Sequence, residues 1–444
     1  MNIFEQIRER KGIRALLSNI SWLGGDRFIR MFGAVIVGTL VARYLGPTNF
    51  GFLNYGIAIY GLFNVISNLG LDSLVVREMA LDERGEPRIL GTAFVLKALA
   101  SVITTLAATA AAWILDPHEK QIILIVAILS FASISQALDV IDYFFQAQIR
   151  SRYTVVPRTI GFIAASIARV AVVFLHGGLM VFAWIGALEI LLTEIGLGIS
   201  YIRFKRLVPR WNWHLGHAKM LLAESWPLLI SSMMTIIYLR TDQVLLGKLS
   251  SMEAVGNYTA AIRFSEIFYA IPMIVSATVM PGLLKSRDVN PGRYYARLQI
   301  LYQSMILVSV AVTIATLLLG PLMIRLLYGN QFTSAAGILT IHIWTGIFVS
   351  VGCVGGHQYV HEKITSTSLQ RTALAAIANV ILNVLWIPRW GGIGSAMATL
   401  VAQSFAAYFA DALDPRTRHI FRMKTQAFLG FWMVPRLIFN GTEK

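Results

Sequence analysis

The chain has 444 residues, 56% of them hydrophobic and 14% charged, with a formal net charge of +15 and a mean hydropathy of +0.65. An ordinary soluble domain is about 25% charged, so this composition excludes a soluble enzyme with a polar shell. The single cysteine, Cys353, excludes a disulfide framework and any multi-cysteine metal site. A charge of this size would suggest nucleic acid in a soluble chain. Here apolar runs of about 20 residues, each long enough to cross a bilayer core as a helix, recur along the whole length. The expected fold is an all-α polytopic membrane protein, with membrane lipids rather than nucleic acid around it.

Twelve segments read as spanning helices: 19–42, 50–71, 89–115, 121–145, 155–175, 180–202, 225–246, 258–281, 298–327, 335–360, 369–387 and 392–412. They divide the chain into a basic N-terminal segment (1–18), a six-helix bundle (19–202), a basic linker (203–224), a second six-helix bundle (225–412) and a basic tail (413–444). No apolar run with a small-residue cleavage site opens the chain, so no signal peptide is expected. Lys and Arg are strongly asymmetric between alternate connections. The N-terminal segment (Arg8, Arg10, Lys11, Arg14), the even-numbered connections (from Arg77, Arg84 and Arg88 to Lys363 and Arg371, with Arg150, Arg152 and Arg158 in the fourth) and the tail hold 27, against 5 in the odd-numbered ones. By the positive-inside rule both termini are expected in the cytoplasm. The tail carries an apolar patch, 428–434, too short to span. It reads either as an amphipathic helix on anionic lipid or as an undocked extension.

A repeat spans roughly 200 residues. Val41-Ala-Arg-Tyr-Leu-Gly46 is followed by Phe50-Gly51 and Asn54-Tyr55; Asp242-Gln-Val-Leu-Leu-Gly247 is followed by Val255-Gly256-Asn257-Tyr258. Six helices per half is an even number, so the halves are expected to run parallel, about an axis along the membrane normal and with a cavity between them.

The same stretches carry a family resemblance. ARYLGPTNFGFLNYG with NLGLDSLVVRE (within 41–78), LRTDQVLLGKLSSMEAVGNYTAAIRFSE (239–266), LLYGNQFTSAAGIL (326–339) and NVILNVLWIPRWGGIGSAMATLVAQ (379–403) occur in this order. The chain resembles the Wzx-type O-antigen and exopolysaccharide repeat-unit flippases of the multidrug/oligosaccharidyl-lipid/polysaccharide exporter superfamily. The resemblance implies two six-helix bundles around a central, MATE-like cavity and movement of undecaprenyl-diphosphate-linked oligosaccharide across a bacterial inner membrane. It implies a transporter rather than an enzyme, with no cofactor, beside a polymerase and glycosyltransferases of the same pathway.

Six cations fall inside spans: Arg27, Arg30, Lys97, Arg169, Arg240 and Arg263. Facing lipid, they would together cost about 15–20 kcal/mol at about 2.5–3.5 kcal/mol each, so they must snorkel, pair or line water. Asp26 with Arg30 (i,i+4) and Arg263 with Glu266 (i,i+3) can each share a helix face. Asp139 and Asp142 share a face as two unpaired carboxylates, a pattern that suggests a proton carrier. Glu189 and Glu194 lie five apart. Asp242 points away from Arg240 and needs a partner from another helix. Singly, each charge reads as a buried ion pair or a cavity group. As a set, the cations read as a hydrated diphosphate site, with Asp26, Asp139, Asp142, Asp242 and Glu266 as groups for ion coupling or pairing. Asn19, Asn54, Asn64, Asn68, Gln136, Tyr55 and Tyr143 suit a sugar chain, or equally interhelical hydrogen bonds. His357 and His361 beside Glu362 have no third ligand, so no metal is expected.

Among the alternatives, a multidrug pocket should be acidic or aromatic, and a lipid II flippase usually has two further helices. A polymerase or ligase needs a large outward loop. No G-x-x-x-x-G-K-[ST] phosphate loop is present, which excludes an ATP-driven pump within this chain.

Overall fold

The computed structural model describes residues 3–206, 210–287, 290–362 and 364–434. The side chains of Arg8, Arg10, Lys11, Arg14, Asn19, Lys285, Arg287, Lys363, Arg436 and Lys444 lie outside what is described. The described residues form α1 (Ile3–Ser67), α2 (Asp72–Leu81), α3 (Glu86–Leu115), α4 (Lys120–Ala132), α5 (Val140–Ala147), α6 (Arg152–Phe174), α7 (Leu179–Lys205) and α8 (Leu215–Leu249). There follow α9 (Met252–Arg287), α10 (Pro291–Tyr328), α11 (Thr333–His342), α12 (Thr345–His361), α13 (Thr365–Ser404), α14 (Ala410–Leu413) and α15 (Arg418–Gly430). A 3-10 segment, Ser133–Asp139, joins α4 to α5.

Among the described residues, nine helical stretches are long and apolar enough to cross a membrane, or ten if α11 and α12, bent by 44°, count as one span. Two of the nine contain an internal break. In α1 the break is Gly46 (φ 72°, ψ 168°), followed by Pro47. Only glycine enters that backbone region at little cost, and proline cannot supply the next helical N–H. In α13 the break is Gly391 (φ 52°, ψ −130°), three residues after Pro388. The outward faces are apolar: Ile36, Leu106, Ile114, Phe174 and Leu318 are each 68–75% exposed. Such a surface suits hydrocarbon and not water.

The chain forms two compact units, Met1–Leu45 with Phe52–Ile236, and Gly46–Gly51 with Ile237–Lys444. The first is cored by Leu74, Val75, Ile89, Leu90, Phe144 and Phe145, with Phe145 stacked on Tyr153 at 5.0 Å. The second is cored by Met280, Tyr294, Leu298, Tyr302, Val351 and Val354, and Ala427 of α15 belongs to the same core.

The two glycines of the sequence repeat meet inside the second unit. A Cβ on Gly51 would lie 1.7 Å from the Met252 carbonyl oxygen, and one on Gly256 would lie 1.9 Å from the Pro47 carbonyl oxygen. Each segment therefore packs its backbone against the other, with no room for a methyl group. Gly51→Ala or Gly256→Ala should lower stability by about 1–3 kcal/mol through overpacking, read as a fall in the melting midpoint of the purified protein in detergent. Gly198→Ala, with nothing within 4 Å of the new methyl, should leave the midpoint unchanged or raised. Equal midpoints for all three would contradict the close packing.

Candidate functional site

Four of the six intramembrane cations have an acid or an aromatic ring beside them, and they do so in different ways. On α1, the Arg30 guanidinium sits 3.6 Å from Asp26, whose other oxygen accepts a 2.8 Å hydrogen bond from Thr159. Asp26 and Thr159 border a cavity of about 420 Å³ with Trp22, Ile29, Val155 and Ile160. Arg27 is exposed and makes no hydrogen bond or ion pair with any described residue. On α6, Arg169 is held by Glu189 of α7 at 2.7 Å.

Lys97 is placed differently. It is 1% exposed, and its ammonium donates to Asn68 Oδ1 at 2.9 Å and to the Tyr143 hydroxyl at 3.0 Å, with Asp139 at 3.5 Å. Asp139 and Asp142 are not the unpaired couple their spacing suggests. Arg158 reaches both, at 3.4 and 2.8 Å, and Gln146 donates to Asp142 at 2.8 Å. Arg158 was expected in a connection; it lies one and a half turns inside α6, where a buried acid pair faces it. Asn68 and Tyr143, candidates for the sugar chain, are occupied by Lys97. Tyr55 donates to Asp116 at 2.8 Å, and Asn64 accepts from Ser67. Glu194 is buried in the same region and has a carboxylate oxygen with no hydrogen-bond partner. Its place inside an apolar span, five residues from Glu189, was the available signal.

In the second unit, Asp242 of α8 is 5% exposed and meets neutral donors instead of a cation. Tyr258 of α9 donates to Oδ2 at 2.7 Å and Asn383 of α13 to Oδ1 at 2.8 Å, and Thr399 of the same helix also donates to Oδ2. Asn379 donates to Thr399 at 3.4 Å and accepts from Asn383 at 3.1 Å. The Asn383 Oδ1 and Ser395 Oγ atoms are buried here without a partner. The Arg263 guanidinium lies 5.0 Å from the Phe50 ring centroid, within cation–π range. Arg240 makes no ion pair within 4 Å among the described residues, while its field and that of Arg263 both act on Glu266.

The tail neither lies free nor uses only its cations at a surface. Helix α15 buries Ile420, Lys424, Ala427 and Gly430. The fully buried Lys424 donates to Asp411 and to the Ala407 carbonyl, both at 2.7 Å, and to Tyr359 at 3.2 Å. Burial pushes the Lys424 ammonium below its ordinary range, and the Asp411 carboxylate beside it opposes that shift. Arg371, expected in a connection, is 4% exposed and joins Asp411, Tyr359 and Thr417. His361 and Glu362 border a cavity of about 870 Å³ with His419 of α15, and His419 pairs with Glu362 at 3.0 Å.

These features define a multi-pass, all-helical membrane protein. Its fold is that of the MOP-superfamily transporters: the chain superposes on a lipid II flippase MurJ in an inward closed conformation with a TM-score of 0.72 and 14% identity, covering 94% of this chain and 92% of that one. An inward-facing MATE-family multidrug resistance transporter of the MOP superfamily gives 0.65 and 12%, covering 94% and 99%. The chain belongs to the polysaccharide biosynthesis protein family, whose profile matches residues 16–286. Two curated relatives come from Haloferax volcanii: the probable flippase AglR, 25% identical over 181 residues, and the probable low-salt glycan biosynthesis flippase Agl15, 26% identical over 179. These alignments cover 39% and 40% of this chain, and each spans 37% of the relative's own length.

Removing one partner from a buried ion pair costs about 3–5 kcal/mol, whereas an exposed pair contributes at most about 1 kcal/mol. Lys97→Met should therefore lower the melting midpoint far more than Arg416→Ala, which breaks the 3.2 Å pair with Asp414. Similar small shifts for both would show that the Lys97 network adds no stability.

Proposed function

We propose that this chain flips undecaprenyl-diphosphate-linked oligosaccharide repeat units from the cytoplasmic to the periplasmic leaflet of a bacterial inner membrane, by alternating access coupled to a cation. The observation that carries the reading is a pair of guanidinium groups within membrane-spanning helices, Arg27 on α1 and Arg240 on α8, that have no ion pair within 4 Å among the described residues. An unmatched arginine in a spanning helix needs water or an anion, and its planar fork suits a diphosphate. Membership of the polysaccharide biosynthesis family and likeness to named flippases support this reading over a multidrug exporter, since a drug cation would be repelled by these groups. A polyprenyl tail can remain in lipid throughout, so the protein has only the polar headgroup to shield.

In the proposed topology α11 with α12 forms a tenth span, and the breaks at Gly46 and Gly391 each divide one long helix into two, giving twelve with both termini cytoplasmic. The non-helical backbone at both glycines and the loop-by-loop excess of Lys and Arg favour it. Cysteine labelling should then reach Thr48, His118 and Gln331 from outside and Arg84 and Arg206 only after permeabilisation. A C-terminus labelled from outside would overturn the scheme. The pathway polymerase and glycosyltransferases are the proposed neighbours in the cell.

Arg27→Ala and Arg240→Ala should each weaken export by the equivalent of about 1.5–3 kcal/mol, on the order of ten- to a hundred-fold. The Lys variants should recover only part of it. The readout is surface glycan in a strain lacking its own flippase, with membrane insertion checked. Full export by both Ala variants would reject the anion-binding role.

The coupling cation is assigned to Asp242. A buried carboxylate ringed by Tyr258, Thr399, Asn379 and Asn383, with two further buried oxygens unpartnered, offers the hard oxygen ligands that alkali cations take. Asp242→Asn should abolish any sodium dependence of export while leaving protein levels normal. Unchanged sodium dependence in that variant would remove Asp242 from the coupling step.

A further inference from the structure

Glu194 lies on α7 and is 3% exposed, with one carboxylate oxygen that no hydrogen-bond donor reaches. Its neighbour on the same helix, Glu189, is already matched by Arg169 at 2.7 Å. The groups whose fields act on Glu194 are Lys97 of α3, Asp139 of the 3-10 segment, Asp142 of α5 and Arg158 of α6, and its own field acts on the Tyr60 phenol of α1. Asp72, exposed at the start of α2, adds a further negative field at Lys97.

The charges do not balance when all are ionised. Two cations, Lys97 and Arg158, face three carboxylates, and both cations are engaged by Asp139 and Asp142 at 2.8–3.5 Å. A net negative charge would then sit inside a membrane-spanning bundle with no counterion, which the low dielectric strongly opposes. We propose that this cluster is a proton-binding site, in which one proton on the Glu194 carboxyl makes the five groups neutral. The proton sits on Glu194 because the other two acids accept charged hydrogen bonds that protonation would weaken. Asp139 and Arg158 are 22% and 31% exposed while Glu194 is not, so these two groups are the route by which a proton reaches it. Release of the proton leaves Glu194 as an unmatched anion on α7, which packs against α6, α4 and the 3-10 segment, so α7 must repack or admit a cation. The site is separate from Asp242 and does not depend on which substrate the chain carries.

Infrared spectroscopy of the whole purified chain in lipid tests this directly. A carbonyl band of a protonated carboxyl should be present at neutral pH, shift when only glutamate is labelled with ¹³C at its side-chain carboxyl, and disappear in Glu194→Gln. The amide mimics the neutral acid in shape, so Glu194→Gln should fold and melt like the parent. Labelling of the parent chain alone still decides between glutamate and aspartate should the variant be poorly expressed. No protonated carboxyl band, a band that moves with aspartate labelling, or a band that survives in Glu194→Gln would each overturn the proposal.

Discussion

A full charge at the centre of a spanning helix costs about 2.5–3.5 kcal/mol, and that penalty organises both units of this protein. In the first, Lys97, Arg158, Asp139 and Asp142 draw α3, α5, α6 and the 3-10 segment onto one polar knot. In the second, Asp411 holds Lys424 and Arg371 together and so fixes α15 against α12 and α13. Removing one of these groups leaves its partners charged within the bundle. The polar knots therefore act as registration points for helices whose outer surfaces are uniformly greasy and carry little positional information of their own.

Much of this was legible in the sequence, and the failures have a common cause. The i,i+4 pair Asp26–Arg30 follows from helical spacing alone. The membrane character follows from composition and apolar run length, the break at Gly46 from the end of an apolar run, and the family from the resemblance carried by the stretches within 41–78, 239–266, 326–339 and 379–403. Arg158 and Arg371 were misplaced because they stand near expected helix ends, where a long cation normally snorkels to water. Whether it does so depends on an acid from another helix: Asp142 lies sixteen residues before Arg158 and Asp411 forty after Arg371. Such pairings are set by helix packing, to which local periodicity is blind. The same blindness made Asp139 and Asp142 look unpaired. The repeat glycines Gly51 and Gly256 were visible as a pattern, but not their backbone contact, which needs both segments placed in space.

Neutral partners mark a different use of a buried charge. Asp242 accepts only from hydroxyl and amide donors, with oxygens left over. A structural carboxylate in a membrane is best served by an arginine or lysine, which cancels the charge and fills the lone pairs. Uncharged donors orient the carboxylate without neutralising it, so the site keeps an attraction for a mobile cation that a salt bridge would have spent.

Read in this way, the charges sort by what they lack. Arg30, Arg169, Lys97 and Arg158 have acids within 4 Å, and their field is largely cancelled at the distance of a second helix. Arg27 and Arg240 have none among the described residues, and Glu194 lacks a matching cation of its own. An uncompensated group in a low-dielectric surround is unstable unless something enters from outside to meet it. As proposed above, a phosphate does so for each arginine, a small cation for Asp242 and a proton for Glu194. In a transporter that is the useful condition, because a site already neutralised by its own protein gains nothing when cargo or ion arrives, and binding then cannot favour one conformation over another.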